Sequence, residues 1–355
     1  MTIQQLLHYT IENKASDLHL VVGAMPVVRI DGDLVPVAGE AVLNEAAVEP
    51  LILGTMSSET RDIFKVNKEV DYSFALEGSS RFRVNAYYQK SSPAASFRLI
   101  PSDIPAIDLL GLPAVCHQVT QLKQGFVLVT GPTGHGKSTT LAAIIEEINK
   151  TRPAHIVTVE DPIEYVYSSA KSIVSQREVH NDTHSWDIAL RSILREDPDV
   201  VLIGEMRDLE TITAALTIAE TGHLVFATLH TNSASQTIDR IVDVFPEAAQ
   251  PQIRMQLSGV LEVVISQRLV PRIGGGRVVT TEIMKGSSAI RTAVREGRTH
   301  MLDNIIMTSG EYGMQTLESS LGDLVRRQII TMETAQSFAV RPADLARFAK
   351  GATNL

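Results

Sequence analysis

Residues 129–145 read VTGPTGHGKSTTLAAII. An apolar run of β-forming residues (FVLVT, 126–130) gives way to glycines at 131, 134 and 136, then to Lys137, a row of hydroxyls and an apolar stretch of helical character. Gly131 to Ser138 fits the spacing G-x-x-x-x-G-K-[ST], in the strand-then-helix context that a phosphate-binding loop requires. Glycines let the backbone curl so that several N–H groups converge on phosphate oxygens, and the positive end of the following helix points at the same place. Lys137 is then placed for the β and γ phosphates and the Ser138 hydroxyl for magnesium. Pro132, Thr133, Gly134, His135, Gly136 and Thr139 complete the nucleotide-facing set, with the His135 ring expected to face solvent.

Working outward, further apolar runs at 156–160 (IVTVE), 200–204 (VVLIG) and 224–229 (LVFATL) alternate with longer helical stretches. That alternation predicts a parallel sheet covered on both faces. Up to about residue 100 the texture differs: LHLVV, VVRI, VDYSFAL and RFRVNAYYQ, separated by Gly, Asp and Ser, predict antiparallel strands with a few helices. After about residue 271 the β runs stop, and AIRTAVREG, THMLDNIIMTS and LESSLGDLVRRQ carry the spacing of amphipathic helices. The expected organisation is an α+β domain over 1–100, a proline-bearing linker over 101–113, an α/β P-loop domain over 114–270 and a helical subdomain over 271–355.

The chain has 355 residues, enough for two cores. A formal net charge of -9 disfavours an electrostatic grip on nucleic acid. The single cysteine, Cys116, excludes a disulfide framework and a multi-cysteine zinc site and suits a reducing compartment. No uncharged apolar run reaches the ~18 residues of a membrane span and the first residues do not read as a signal peptide, so a cytoplasmic protein without membrane insertion is expected.

Three other stretches carry chemistry. DPDVVLIGEMRD (197–208) ends its strand in Gly204-Glu205, putting a carboxylate where it can polarise an attacking water, with Gly204 at the place where an aspartate more often supports the metal. VTVEDPIEYVY (157–167) follows its apolar run with Glu160, Asp161 and Glu164, a set able to orient water or hold magnesium through its hydration shell. TGHLVFATLHT (221–231) brackets a strand with His223 and His230, candidates for phosphate sensing.

Taken in series, GPTGHGKS, VEDPIEYV, LREDPDVVLIGEMRD and AETGHLVFATLHT resemble the Walker A, acidic box, atypical Walker B and His box of the secretion ATPases that power type II secretion and type IV pili. ASDLHL, RFRVNAYYQ, AIRTAVREG and MQTLESSL extend the resemblance over nearly the whole chain, and the pilus-retraction (PilT-type) branch is the nearest in pattern. The assembly-type branch usually carries a further amino-terminal domain and a four-cysteine zinc motif, neither of which is present here. After Ala-Ile-Arg, Thr292-Ala293-Val294 stand where retraction ATPases usually show Asn-Leu-Ile, so a PilU-type accessory ATPase stays open beside the PilT type.

The resemblance implies a PAS-like first domain and a RecA-like P-loop ATPase core, assembled as a homohexamer that uses ATP and magnesium to drive pilus retraction and twitching motility. The motor would sit peripheral to the inner membrane at the pilus base, partnered by the pilus platform protein and a paralogous retraction ATPase. It assigns Lys137 and Ser138 to nucleotide and magnesium and Glu205 to activation of water. Glu160 and Glu164 fall in the acidic box, with Glu164 among the catalytic groups, and His223 and His230 in the His box. Charge on the transferring phosphoryl group also needs a cation, and an arginine finger is worth about 10³ to 10⁵ in turnover. Arg81 and Arg83 on RFRVN, with Arg195 and Arg240, are the candidates, supplied by or lying against a neighbouring subunit. Two other classes are a nucleic-acid translocase on the same core, and a nucleotide switch that binds without turnover.

Overall fold

The computed structural model describes residues 1–30, 32–76, 80–101 and 103–349. Two compact units divide the chain: Met1–Asp103 with Pro162–Val166, and Ile104–Asp161 with the residues from Tyr167 onward.

The first unit contains α1 (Ile3–Glu12), β1 (Asp17–Leu20), β2 (Val27–Ile30), β3 (Asp33–Pro36), α2 (Glu45–Leu53), α3 (Ser58–Asn67), β4 (Glu69–Leu76), β5 (Ser80–Gln89) and β6 (Ser92–Ile100). Its six strands form one antiparallel sheet in the order β3-β2-β1-β6-β5-β4. Period-two alternation builds it. Phe82, Val84 and Ala86 of β5 are fully buried with Phe97 and Leu18, while Arg83 and Asn85 between them are exposed and Arg81 is half-buried. Asn44 and Ser57 cap α2 and α3, and Thr2 opens α1 in a reciprocal capping box with Gln5.

The second unit runs α4 (Val115–Thr120), β7 (Gly125–Thr130), α5 (Lys137–Thr151), β8 (His155–Glu160), β9 (Ile173–Glu178), α6 (Trp186–Ile193), β10 (Val200–Ile203), α7 (Leu209–Glu220), β11 (Leu224–Leu229), α8 (Ala234–Asp243) and α9 (Gln250–Val260). It closes with β12 (Leu261–Pro271), β13 (Arg277–Lys285), α10 (Ser288–Arg295), α11 (Leu302–Thr308), α12 (Leu317–Arg326), α13 (Met332–Phe338) and α14 (Pro342–Ala349). The sheet order is β13-β12-β7-β11-β10-β8-β9, parallel throughout except for the β12–β13 pair. β7, β10 and β11 are buried along their whole length, which is what uninterrupted apolar runs produce in a two-face-covered sheet. All the parallel strands end on one side, and that side carries the phosphate-loop sequence.

One expectation is corrected here. β structure does not stop near residue 271: β12 turns at Arg272–Gly276, with Gly274, Gly275 and Gly276 at positive φ, and returns as β13 through the region read as helical. Thr280, Thr281 and Glu282 break the apolar run of β13, yet they are buried, so its pattern was not that of an ordinary core strand. Beyond β13 the helical reading holds. Leu317, Leu321, Leu324, Ile330 and Leu345 close a small core over Val270, and Gly322 lies so close to Phe348 that a Cβ would stand 2.7 Å from it. Residues 104–113 form neither helix nor strand, but Ile107 among them is buried.

Candidate nucleotide site

The loop between β7 and α5 has the shape its glycines allow. Gly131, Gly134 and Gly136 hold φ of 141°, 77° and 80°. A Cβ on Gly131 would lie 2.2 Å from the Gln267 carbonyl oxygen, so β12 is pressed against the start of the loop. A Cβ on Gly134 would meet nothing within 4 Å, so the loop is not packed against the protein at that point. Lys137 is buried, and its Nζ donates to the carbonyls of Gly131 (2.9 Å) and Pro132 (3.1 Å) and contacts His230 Nδ1 at 3.2 Å. Ser138 and Thr139 follow, half-buried, in the first turn of α5.

His230 leaves the end of β11 beside this loop. Its Nδ1 also lies 3.2 Å from Thr133 Oγ1, and its Nε2 lies 3.2 Å from Glu205 Oε1. The other Glu205 oxygen receives Arg207 Nη2 at 2.8 Å. A continuous chain therefore runs Lys137, His230, Glu205, Arg207 along the carboxyl ends of the strands. Burial alone would push the Glu205 carboxyl up, but the Arg207 hydrogen bond and the charges of His230 and Arg207 outweigh it and hold Glu205 below the usual carboxylate range. Gly204 has a packing reason: a Cβ there would stand 3.3 Å from Glu160 Cα and 3.4 Å from the Val159 carbonyl. The strand end is too close to its neighbour for an aspartate without local movement.

Glu160 ends β8 next door, buried, and accepts from Thr158 Oγ1 at 2.7 Å and Gln176 Nε2 at 3.3 Å. The acidic box is divided. Glu160 and Asp161 belong to the second unit, whereas Pro162–Val166, with exposed Glu164, belongs to the first. His223 is likewise not brought to the loop. It precedes β11, with its ring against Thr221 and the Ile218 carbonyl, and its own carbonyl takes the N–H of Gly125 at the opposite end of β7. A six-residue strand separates it from His230, about 20 Å at ~3.3 Å per residue. Arg195 is exposed on the turn leading to the amino end of β10, and Arg240 is exposed in the last turn of α8. Arg81 and Arg83 lie on the first unit's β5.

The expectation for His135 is also corrected. Its ring is turned inward, with Nδ1 accepting the Leu269 N–H at 3.0 Å, and burial together with Arg268, Arg277 and Lys137 holds it below the usual imidazole range. Gln267 is a loop residue that sequence reasoning missed. Almost wholly buried on β12, it donates from Nε2 to the His135 carbonyl at 2.8 Å and accepts from Thr140 Oγ1 at 2.8 Å. Arg277 Nη1 adds a bond to the Gly134 carbonyl at 3.2 Å. The one signal in sequence was a glutamine inside VVISQRLV, a polar group that a buried strand retains only with partners.

An open glycine cradle, a lysine and a helix N-terminus fit a nucleotide di- or triphosphate. Among the described residues no group of three or more His, Cys, Asp or Glu is arranged to hold a metal. Ser138 beside phosphates nevertheless suits magnesium, which takes few protein ligands and keeps phosphate and water oxygens. No described helix is long and apolar enough to cross a membrane.

Comparison with known proteins agrees with this geometry. A family model described as Type II/IV secretion system protein matches residues 1–329. The type IV pilus retraction ATPase PilT of Pseudomonas aeruginosa is 49% identical over 344 residues, covering 97% of this chain and 100% of the relative. The type IV pilus ATPase PilU of the same organism is 38% identical over 346 residues, 97% of this chain and 90% of the relative. The crystal structure of the pilus retraction motor PilT with bound ADP superposes with a TM-score of 0.91 at 46% identity, covering 98% of this chain and 99% of that one.

Proposed function

The chain belongs to the type II/IV secretion system protein family, and from that premise we propose that it is the ATP-hydrolysing motor of type IV pilus retraction. The observation that carries the reading is the Lys137–His230–Glu205 chain beside the open glycine loop, in a fold that matches PilT over its full length. Lys137 exchanges its carbonyl partners for the β and γ phosphates, and the Ser138 hydroxyl would hold a magnesium ion, which would offset phosphate charge. Glu205 takes the proton of the attacking water, and His230 reports the presence of the γ phosphate to Glu205. Glu160 fixes the neighbouring strand end.

The motor works as a homohexamer docked on the pilus platform protein at the cytoplasmic face of the inner membrane, beside a paralogous retraction ATPase. Arg195, Arg240 and Arg83, all exposed, are available to a neighbouring subunit's nucleotide, with half-buried Arg81 two residues from Arg83 on β5. The departure at Thr292-Ala293-Val294 does not disfavour retraction, because Ala293 and Val294 are core positions of α10 whose apolar character is kept. The test is magnesium-dependent ATP turnover that rises as the protein assembles into a six-subunit species. Turnover from an isolated monomer at full rate would remove the shared-site hexamer.

A further inference from the structure

In β11, LVFATL, Thr228 is the polar residue among apolar ones, and it is buried. A strand covered on both faces retains a hydroxyl where that hydroxyl has a partner. The β10–β11 ladder ends at the Ile203–Ala227 pair, and Thr228 is the next residue along. Its Oγ1 donates to the Gly204 carbonyl at 2.5 Å, and its own carbonyl accepts the Met206 N–H at 3.2 Å. The first bond falls on the peptide before the Glu205 Cα and the second on the peptide after it. Two residues beyond Thr228, His230 Nε2 lies 3.2 Å from Glu205 Oε1. The end of β11 therefore grips Glu205 by its backbone as well as by its side chain.

Gly204 is the reason such a grip matters. Close packing on Glu160 favours a glycine there, but glycine is the residue whose backbone turns most freely. Its N–H is held by the Val159 carbonyl at 2.9 Å, and further on Met206 is buried and Asp208 caps α7 through Thr211. Between these anchors the remaining freedom lies in the Gly204–Glu205 peptide, whose carbonyl is the acceptor of the Thr228 hydroxyl. A turn of that peptide swings the Cα–Cβ bond of Glu205 and re-aims its carboxylate.

We propose that Thr228 is a positioning residue for the general base: its hydroxyl and carbonyl lock the two peptides that flank Glu205, so that the carboxylate is aimed at the attacking water before ATP arrives. This rests on the ATPase reading above. Thr228 touches neither nucleotide nor water, and acts only through the direction it gives Glu205. A misplacement of about 1 Å at a catalytic group costs about 100-fold in rate, whereas the phosphate loop, built from other residues, binds nucleotide as before.

Thr228→Val keeps the branched shape and removes the hydroxyl. It should lower kcat roughly 10- to 100-fold, with affinity for fluorescent ADP within about twofold of wild type. Thr228→Ala should do the same, and Thr228→Ser, which keeps the donor, should recover most of the turnover. The decisive readout is the same substitution in a Glu205→Gln background, followed by single-turnover hydrolysis. With the base already gone, its direction no longer matters, and Thr228→Val should change the residual rate by less than about threefold. Wild-type protein without turnover would overturn the ATPase reading and this proposal together. With an active wild type, Thr228→Val within about threefold of it, Thr228→Ser as slow as Thr228→Val, or equal slowing in both backgrounds would overturn the Thr228 role alone. Loss of ADP binding in both the Val and the Ala variants would do so too, by making Thr228 a residue of sheet packing.

Discussion

Replacing Gln267 by Met keeps the length and volume of the side chain but removes both of its hydrogen bonds to the nucleotide loop and its helix, at the His135 carbonyl and at Thr140 Oγ1. Thr140 and Gln267 are each nearly inaccessible to water, so solvent cannot replace what is lost. A net contribution of about 1 kcal/mol per bond gives about 2 kcal/mol, and an unsatisfied Thr140 hydroxyl raises the total loss of stability to about 3 kcal/mol. The part that matters for function is the order of the loop wall. If the two bonds hold residues 134–136 in the phosphate-ready shape, ligand must supply that order in the variant, and about 2 kcal/mol corresponds to a ~30-fold weaker Kd for ADP. Equilibrium titration with fluorescent ADP, alongside urea unfolding of wild type and Gln267→Met, measures the two effects separately. A stability loss of the expected size with ADP affinity within about threefold of wild type would refute the reasoning and reduce Gln267 to a packing residue.

Gly131→Ala should be far more damaging than Gly134→Ala. The first drives a Cβ to 2.2 Å from the Gln267 carbonyl, while the second meets open space and carries only the strain of its positive φ, about 1 kcal/mol; isothermal titration with ADP should show nucleotide binding abolished in the first and weakened less than about tenfold in the second. His117, held between Asp108 at 3.0 Å and Glu147 at 2.8 Å, has its pKa raised by the hydrogen bonds of Asp108 and Glu147. A raised native value means a stabilising contribution fully present below the unfolded pKa near 6.5 and lost as pH climbs through the native one. The melting-temperature gap between wild type and His117→Gln should therefore be open at acid pH and close on the alkaline side, and a gap independent of pH would contradict this.

Much of this architecture was legible because its signals are local. The phosphate loop depends on residue types within eight positions, and β7, β8, β10 and β11 each show as a mainly apolar run. What escaped the sequence is non-local. His135 is turned inward by a backbone N–H 134 residues away, and Gln267 reaches the loop across 132. β13 was missed because its interior carries Thr280, Thr281 and Glu282, whose polar groups are matched only once the chain has folded. The Ser320 hydroxyl meets that of Thr280, Gln315 Nε2 donates to the Thr281 hydroxyl, and the Ala234 N–H meets Glu282. His223 and His230 look like a pair in sequence, but a strand running between two residues places them at opposite ends of the sheet. Arg207 was passed over because nothing in GEMRD distinguishes a guanidinium turned back onto Glu205 from one left in solvent.

The most direct test of the whole account is ATP turnover in magnesium by wild type and Glu205→Gln, with ADP affinity measured on the same samples. The account predicts a wild type that hydrolyses ATP and a variant slowed by about 10² to 10⁴ with ADP bound as before. A variant that turns over like wild type would show that Glu205 is not the base, and a wild type without turnover would show that this loop binds nucleotide for some purpose other than driving a motor.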